Sequence, residues 1–239
     1  MMTSETNLCA VLIPYYKNEL TKSEQYSLNV ALDIFQRHPV LFISPENLRV
    51  SEEYNYIPSV RFSDKYFSSL AGYNQLLLST DFYGRFLDFK YILIYQLDAL
   101  VFRDELSYWC SLGFDYYGAP WIHKTWKWKY FNFFGIINRE VGNGGFSLRR
   151  PEIFFSMAKK ITRIKKFIRF GEDIFWCNYG KVLDLDFKIL TADKAFRFAF
   201  ETNPSQLYLL NGNSLPFGCH AFEKNEIEFW KSKVPQAFG

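Results

Sequence analysis

Apolar residues along this chain come in two rhythms. Residues 8–16, "LCAVLIPYY", form an unbroken apolar run of strand length that closes at Pro14, and "PVLFISP" (39–45) is a second short run bounded by prolines. Between them, "SEQYSLNVALDIFQRH" places Leu28, Ala31, Leu32 and Phe35 on one face of a helix. A strand, a helix and a strand in succession predict a right-handed crossover and a parallel sheet, with a ligand crevice at the carboxyl ends of the strands. Beyond a loop at residues 52–59, "KYFSSLAGYNQLLLSTDFYGRFLDF" (65–89) predicts one or two helices, with Gly72 as the weak point. "YILIYQLDALVF" (91–102) then reads as a central strand and its exit. A short helix near 105–111, a strand around "FDYYGAP" and a strand at "GGFSLRR" follow. "PEIFFSMAKKI" starts a helix with Pro151, and "GEDIFWCNYG" starts one at Glu172 or Asp173 that ends by Gly180. "FKILTADKAFRFAFE" adds a strand and a helix before an irregular tail. The alternation predicts an α/β fold with a mixed, mainly parallel central sheet flanked by helices.

Composition narrows the class. In 239 residues, 49% are hydrophobic and 20% aromatic, which excludes a disordered chain and leaves enough apolar surface for one substantial core. No linker divides the chain, so one domain is expected over residues 1–239. No apolar run reaches spanning length, and the start lacks a basic leader, so export is not expected. Cys9, Cys110, Cys177 and Cys219 are scattered without a C-x-x-C pair, which predicts free thiols in a reducing, cytoplasmic setting. The net charge of +3 is uneven: Lys159, Lys160, Arg163, Lys165, Lys166 and Arg169 fall within eleven residues. Ile161, Ile164, Phe167 and Ile168 recur among them at helical spacing, so this segment predicts an amphipathic helix. It is either a solvated face or a contact with an anionic membrane surface.

Five stretches carry candidate chemistry. Asp98 follows an apolar run, where its charge needs compensation. Gln96 and Asp98, two residues apart on a strand, face the same side and offer an amide oxygen and a carboxylate to a hard divalent ion that carries phosphate oxygens, although capping by Asp98 serves equally. In "EVGNGGFSLRR", Gly142, Gly144 and Gly145 around Asn143 permit positive φ and close approach, giving either a ligand-facing loop or a tight turn. It is not a P-loop, lacking the Lys-Ser/Thr of that pattern. Glu172 and Asp173 are helix-start acids that either cap or supply a general base. His220, in "LPFGCHAFEK", is structural, completes a metal site with Asp98 or contacts a phosphate. His123 opens "HKTWKWKYFNFF", a basic, aromatic segment suited to an interface or an acceptor cleft.

Taken in order, "YILIYQLDALVF", "FDYYGAPW", "VGNGGFSLRR", "GEDIFW" and "LPFGCHAF" resemble a family of bacterial proteins assigned as glycosyltransferases, found in surface-polysaccharide gene neighbourhoods and long classed as a domain of unknown function. The resemblance spans about residues 9–222, and the order is more distantly similar to that of GT-A glycosyltransferases. It implies a single GT-A-like, Rossmann-like domain with a nucleotide-binding half at about 7–102, an acceptor half at about 103–222 and a tail at 223–239, which transfers a sugar from a nucleotide-diphosphate sugar to a hydroxyl of a glycan acceptor, such as lipopolysaccharide or capsule, with inversion. Asp173 is then the base, with Glu172 holding the acceptor. Asp98 and His220 are the metal ligands for Mn²⁺ or Mg²⁺. Pro14, Tyr15, Lys17, Tyr73 and Asn74 border the nucleotide, with Gln96, Asn143, Gly144 and Gly145 lining the donor pocket. Tyr95, Tyr117, Trp121 and Trp176 are candidate sugar- or base-stacking walls, core packing being the alternative. The resemblance departs at Gln96-Leu97-Asp98, where GT-A enzymes commonly carry Asp-x-Asp; one charge fewer weakens the expected metal binding. The expected partners are a nucleotide sugar and a glycan acceptor, either free or lipid-linked, with peripheral contact to an anionic membrane as a separate alternative; nucleic acid is not an expected partner. A glycan- or nucleotide-binding module without catalysis, or a nucleotidyltransferase, is the alternative.

Overall fold

The structure, a computed structural model, describes residues 7–121, 141–168 and 170–239. Its central sheet has six strands in the order β3-β2-β1-β4-β9-β6. These are β1 (Cys9–Pro14), β2 (Val40–Pro45), β3 (Ser59–Phe62), β4 (Tyr91–Tyr95), β6 (Tyr116–Tyr117) and β9 (Phe146–Arg149). β3, β2, β1 and β4 run parallel, while β9 is antiparallel to both β4 and β6. The sheet is therefore mixed, as the alternation of elements predicted.

The unbroken apolar runs have a direct cause. Along β1, Cys9, Val11 and Ile13 enter one core cluster while Ala10 and Leu12 enter another, so the strand is buried on both faces and cannot alternate with polar residues. Helix α1 (Lys22–Ile34) covers the first face with Leu28 and Ala31 and starts at a capping box between Thr21 and Glu24. Helices α2 (Leu70–Leu77), α3 (Thr80–Gly84), α5 (Pro151–Ile161) and α6 (Glu172–Leu183) lie on the second face. Helix α4 (Leu106–Ser111) adds Leu106 and Trp109 to the first cluster, and β7 (Ala119–Pro120) pairs antiparallel with β8 (Val141–Gly142). A smaller sheet, β10 (Ala199–Phe200), β11 (Gly218–His220) and β5 (Ala99–Val101), carries a third cluster around Trp230.

Several expectations are adjusted. The 65–89 stretch is two helices, but the break falls at Ser79, which caps α3, and not at Gly72. Gly72 lies inside α2, where an added Cβ would meet the Lys65 carbonyl oxygen at 2.6 Å. Helix α6 runs past Gly180 to Leu183. The amphipathic helix expected through 161–168 does not form: α5 stops at Ile161 and a 3₁₀ turn, Lys165–Phe167, follows. Ile161 is buried and Ile168 half-buried, whereas Ile164 and Phe167 are exposed, so the four do not share one face. The four cysteines are buried and free. Among the described residues, no helix is long and apolar enough to cross a membrane.

Candidate active site

β1 sends its connection to β2 on one side, while its other neighbour, β4, arrives only after two helices. Chain direction thus leaves a crevice at the carboxyl ends of β1 and β4, the switch point of an open α/β sheet. A cleft of about 480 Å³ lies there, and Pro14, Tyr15, Lys17, Tyr73, Gln96 and Asp98 all line it. Tyr15 turns its ring inward, stacked on Phe42 at 4.5 Å, and its hydroxyl donates to Asn18 Oδ1; Tyr16 is the exposed ring at the mouth. Asn74 does not line the cleft and instead accepts the Glu172 N–H through Oδ1 at 3.4 Å.

The "QLD" stretch is a turn between β4 and β5, pinned by the Gln96 N–H donating to the Gly145 carbonyl (2.8 Å) and the Ala99 N–H to the Gln96 carbonyl (2.9 Å). β5 pairs antiparallel with β11, which sets His220 opposite Ala99. That pairing brings Asp98 and His220 together across 122 positions of sequence: His220 Nε2 lies 3.1 Å from Asp98 Oδ1. His220 Nδ1 is 3.0 Å from Glu201 Oε1, and the Trp121 indole N–H donates to Glu201 Oε2 at 3.1 Å. Lys224 Nζ donates to Asp98 Oδ2 at 2.8 Å. Burial by itself would raise the Asp98 carboxyl, but His220 and Lys224 outweigh it and hold the group well below the usual carboxylate range. Burial would lower the His220 imidazole, yet Asp98 and Glu201 push it up to about 9.

These residues fit a hard divalent ion. Nε2 of His220 is buried and approaches Asp98 without hydrogen-bond alignment, so it has no hydrogen-bond partner among the described residues. Its Nδ1 is held by a carboxylate, the usual outer support of a metal-bound imidazole. Gly145 keeps the place open: an added Cβ would fall 2.1 Å from His220 Nε2 and 2.8 Å from Gln96 Oε1. Carboxylate, imidazole and amide oxygen are the donors at hand. No group of three or more His, Cys, Asp or Glu able to hold a metal occurs among the described residues, so phosphate oxygens would complete the shell.

The glycine-bearing loop works differently from expectation. Asn143, not a glycine, takes the positive φ, at 102°. Its side-chain oxygen accepts the N–H groups of Gly145 (2.8 Å) and Phe146 (3.2 Å), so the Gly145 N–H is spent within the loop instead of facing a ligand. Gly144 is required because an added Cβ would fall 2.6 Å from Glu172 Oε1. The loop meets helix α6 where the Asn143 N–H donates to Asp173 Oδ2 at 3.3 Å. Asp173 also accepts the Ile174 N–H and stays half-buried, with its carboxylate at the helix start.

Glu172 is a correction. Its carboxylate is buried and accepts two 2.8 Å hydrogen bonds from Arg149, which donates also to Tyr83 and Ser147. Burial lifts the Glu172 carboxyl and Arg149 pulls it back, while the guanidinium, facing Glu172, stays charged. A carboxylate enclosed in that pair has no access to an acceptor hydroxyl; it ties α6 to β9. Tyr95, Tyr117 and Trp176 are corrections too, being fully buried core residues with no face for a sugar. Trp121 is half-buried and bonded to Glu201. His123 and "HKTWKWKYFNFF", like Arg169, lie outside the described residues.

Sequence reasoning passed over Glu201, Lys224 and Arg149. Glu201 had the same signal as Asp98, an acid closing an apolar run, and Lys224 stands four residues after His220 in "HAFEK".

The family model described as "Protein of unknown function (DUF5672)" matches residues 56–220, more than half of the chain. The chain belongs to the DUF5672 family. Among curated proteins there is no match. Solved structures are similar over nearly the whole chain. The galactosyltransferase LgtC, in complex with donor and acceptor sugar analogues, is 12% identical, with a TM-score of 0.59 over 96% of this chain and 95% of that one. Mouse xyloside xylosyltransferase 1 is 13% identical, with a TM-score of 0.53 over 89% of this chain and 97% of that one. The bifunctional glycosyltransferase WbbM is 10% identical, with a TM-score of 0.55 over 94% of this chain and 47% of that one. At such identities the likeness is one of fold: this DUF5672 chain has the GT-A-like glycosyltransferase fold.

Proposed function

We propose that the protein transfers a sugar from a nucleoside-diphosphate sugar to a hydroxyl of a glycan acceptor. One observation carries this reading: Gln96, Asp98 and His220 converge at the carboxyl-end crevice of β1 and β4, beside a cleft of about 480 Å³, in a fold shared with sugar transferases. Pro14, Lys17 and Tyr73 border the nucleotide there. Asp98, His220 and the Gln96 amide hold a divalent cation, Mn²⁺ or Mg²⁺, which when bound offsets charge on the leaving diphosphate. Gly145 leaves room for that group, and Glu201 fixes the imidazole by holding Nδ1–H.

Asp173 is the candidate base. Its half-buried carboxylate stands at the start of α6, separated from Asp98 by the Asn143–Gly145 loop. A carboxylate on the far side of the sugar from the leaving group takes the acceptor proton as the hydroxyl attacks, which inverts the anomeric centre. The acceptor, a lipopolysaccharide or capsule glycan, is suggested by the family resemblance.

The same reading includes contact with the cytoplasmic face of an anionic membrane. Ile164, Phe167, Phe170, Tyr179, Val182 and Leu185 are exposed within 22 residues, and Leu185 is 91% exposed. Lys159, Lys160, Arg163 and Lys166, also exposed, adjoin the first of them in sequence.

The experiment is a thermal-shift screen of UDP-, GDP-, CDP- and dTDP-sugars with and without Mn²⁺ or Mg²⁺. At a hundred-fold excess over Kd a true donor stabilises the native state by about 2.7 kcal/mol. With the donor found, Asp173→Asn should retain the shift and lose turnover, and NMR of the wild-type product should show the inverted anomer. No shift with any sugar nucleotide would remove the proposal.

A further inference from the structure

The donor-site reading leaves one cation unassigned. Both oxygens of Asp98 are already approached by groups of this chain, Oδ1 by His220 and Oδ2 by Lys224 at 2.8 Å. Gln96, in the place where a second acid would share the load, contributes no charge. Lys224 is a long, 71% exposed side chain, and Asp98 is the one hydrogen-bond acceptor of its ammonium among the described residues. Its backbone is less free. Ala221, with φ of 52°, accepts the N–H groups of Lys224 (2.9 Å) and Asn225 (3.1 Å), a tight turn that brings Lys224 back over the cleft, which it lines together with Lys17.

Resting on the glycosyltransferase reading, we propose that Lys224 is an exchangeable counter-ion. It covers Asp98 when the cleft is empty, and it moves onto the donor's diphosphate when a divalent cation takes its place on that carboxylate. An ammonium and a divalent cation on one carboxylate repel each other, so metal alone must displace Lys224 into water, where it has no partner. A nucleoside diphosphate brings the negative charge that receives the displaced ammonium. Metal and nucleotide therefore bind with positive coupling, each tightening the other by the same factor, and Lys224 carries part of that coupling. The device also fits Gln96: with one acid in the turn, His220 on Oδ1 and Lys224 on Oδ2 between them cover the carboxylate of the empty site.

The test measures Mn²⁺ binding by the loss of the free-ion EPR signal on metal-stripped protein, alone and with excess UDP or GDP, and nucleotide binding by calorimetry. Lys224→Met should bind Mn²⁺ alone about five-fold more tightly, the upper range for relief of an exposed ion pair. It should bind UDP or GDP in the presence of Mn²⁺ at least about five-fold more weakly. Lys224→Arg, which keeps the charge, should follow wild type on both measures. In an Asp98→Asn background Lys224→Met should no longer change Mn²⁺ affinity. Mn²⁺-only binding that is unchanged or weaker in Lys224→Met overturns the exchange, even where nucleotide affinity falls. Nucleotide binding with that result leaves the transferase reading standing, whereas no nucleotide binding by wild type at any Mn²⁺ concentration overturns both.

Discussion

Replacing Glu172 by Gln tests whether this residue belongs to the chemistry or to the frame. Arg149 is wholly buried, and both Glu172 oxygens accept from it at 2.8 Å. Its remaining partners are neutral: the Tyr83 hydroxyl at 2.9 Å, the Ser147 hydroxyl at 3.0 Å, and the faces of Tyr116 and Phe154 at 5.4 and 5.5 Å. Glutamine retains one acceptor oxygen but turns an N–H₂ toward a guanidinium that has only donors. A buried charge deprived of its counter-charge costs about 3–5 kcal/mol. For a chain of this size, each kcal/mol lowers Tm by about 2–4 °C, so a drop on the order of 10 °C is expected. Scanning calorimetry of Glu172→Gln beside Asp173→Asn reads the difference directly. Asp173 is half-buried and accepts two backbone N–H groups, so its amide variant should melt close to wild type while turnover is lost. Replacing the pair together, as Arg149→Met with Glu172→Leu, should recover much of the lost stability, because neither charge remains to be stranded. A Glu172→Gln protein that melts like wild type but does not turn over would refute the structural assignment and return Glu172 to the acceptor.

Three further outcomes are expected. In metal-free protein, His220 is raised to about 9 in the fold against about 6.5 unfolded, so its contribution is fully present below about pH 6.5 and lost as pH rises through 9. Denaturant titrations at pH 6 and pH 9.5 should show up to about 3 kcal/mol more loss in wild type than in His220→Gln, and equal slopes would refute the pairing. Glu201→Gln removes the charge that holds His220 Nδ1–H and should weaken Mn²⁺ binding in the presence of nucleotide roughly ten-fold, read by EPR. The protein should sediment with phosphatidylglycerol vesicles and not with phosphatidylcholine vesicles. Alanine at Lys159, Lys160, Lys165 and Lys166 together should release it, and binding indifferent to these changes would remove the membrane contact.

What the sequence by itself determined is what local burial writes into residue order. Strands β1, β2 and β4 are buried on both faces, so apolar runs mark them, and α1 announces itself by its spacing. Asp98 was legible because a charge closing a buried run demands a reason. β3 was not, since Ser59–Phe62 is a short edge strand with an exposed Arg61 and no apolar run. The partners were beyond sequence for a different reason. Which base meets Asp98 depends on the β5–β11 pairing, and which cation meets Glu172 depends on β9 lying beside α6; neither is encoded in local periodicity. Helix-start acids look alike in sequence, yet tertiary packing seals Glu172 against Arg149 and leaves Asp173 half-open one residue later. Side chains of adjacent helix residues diverge by about 100°, so the fold, not the composition of "GEDIFW", decides which of the two can reach a substrate.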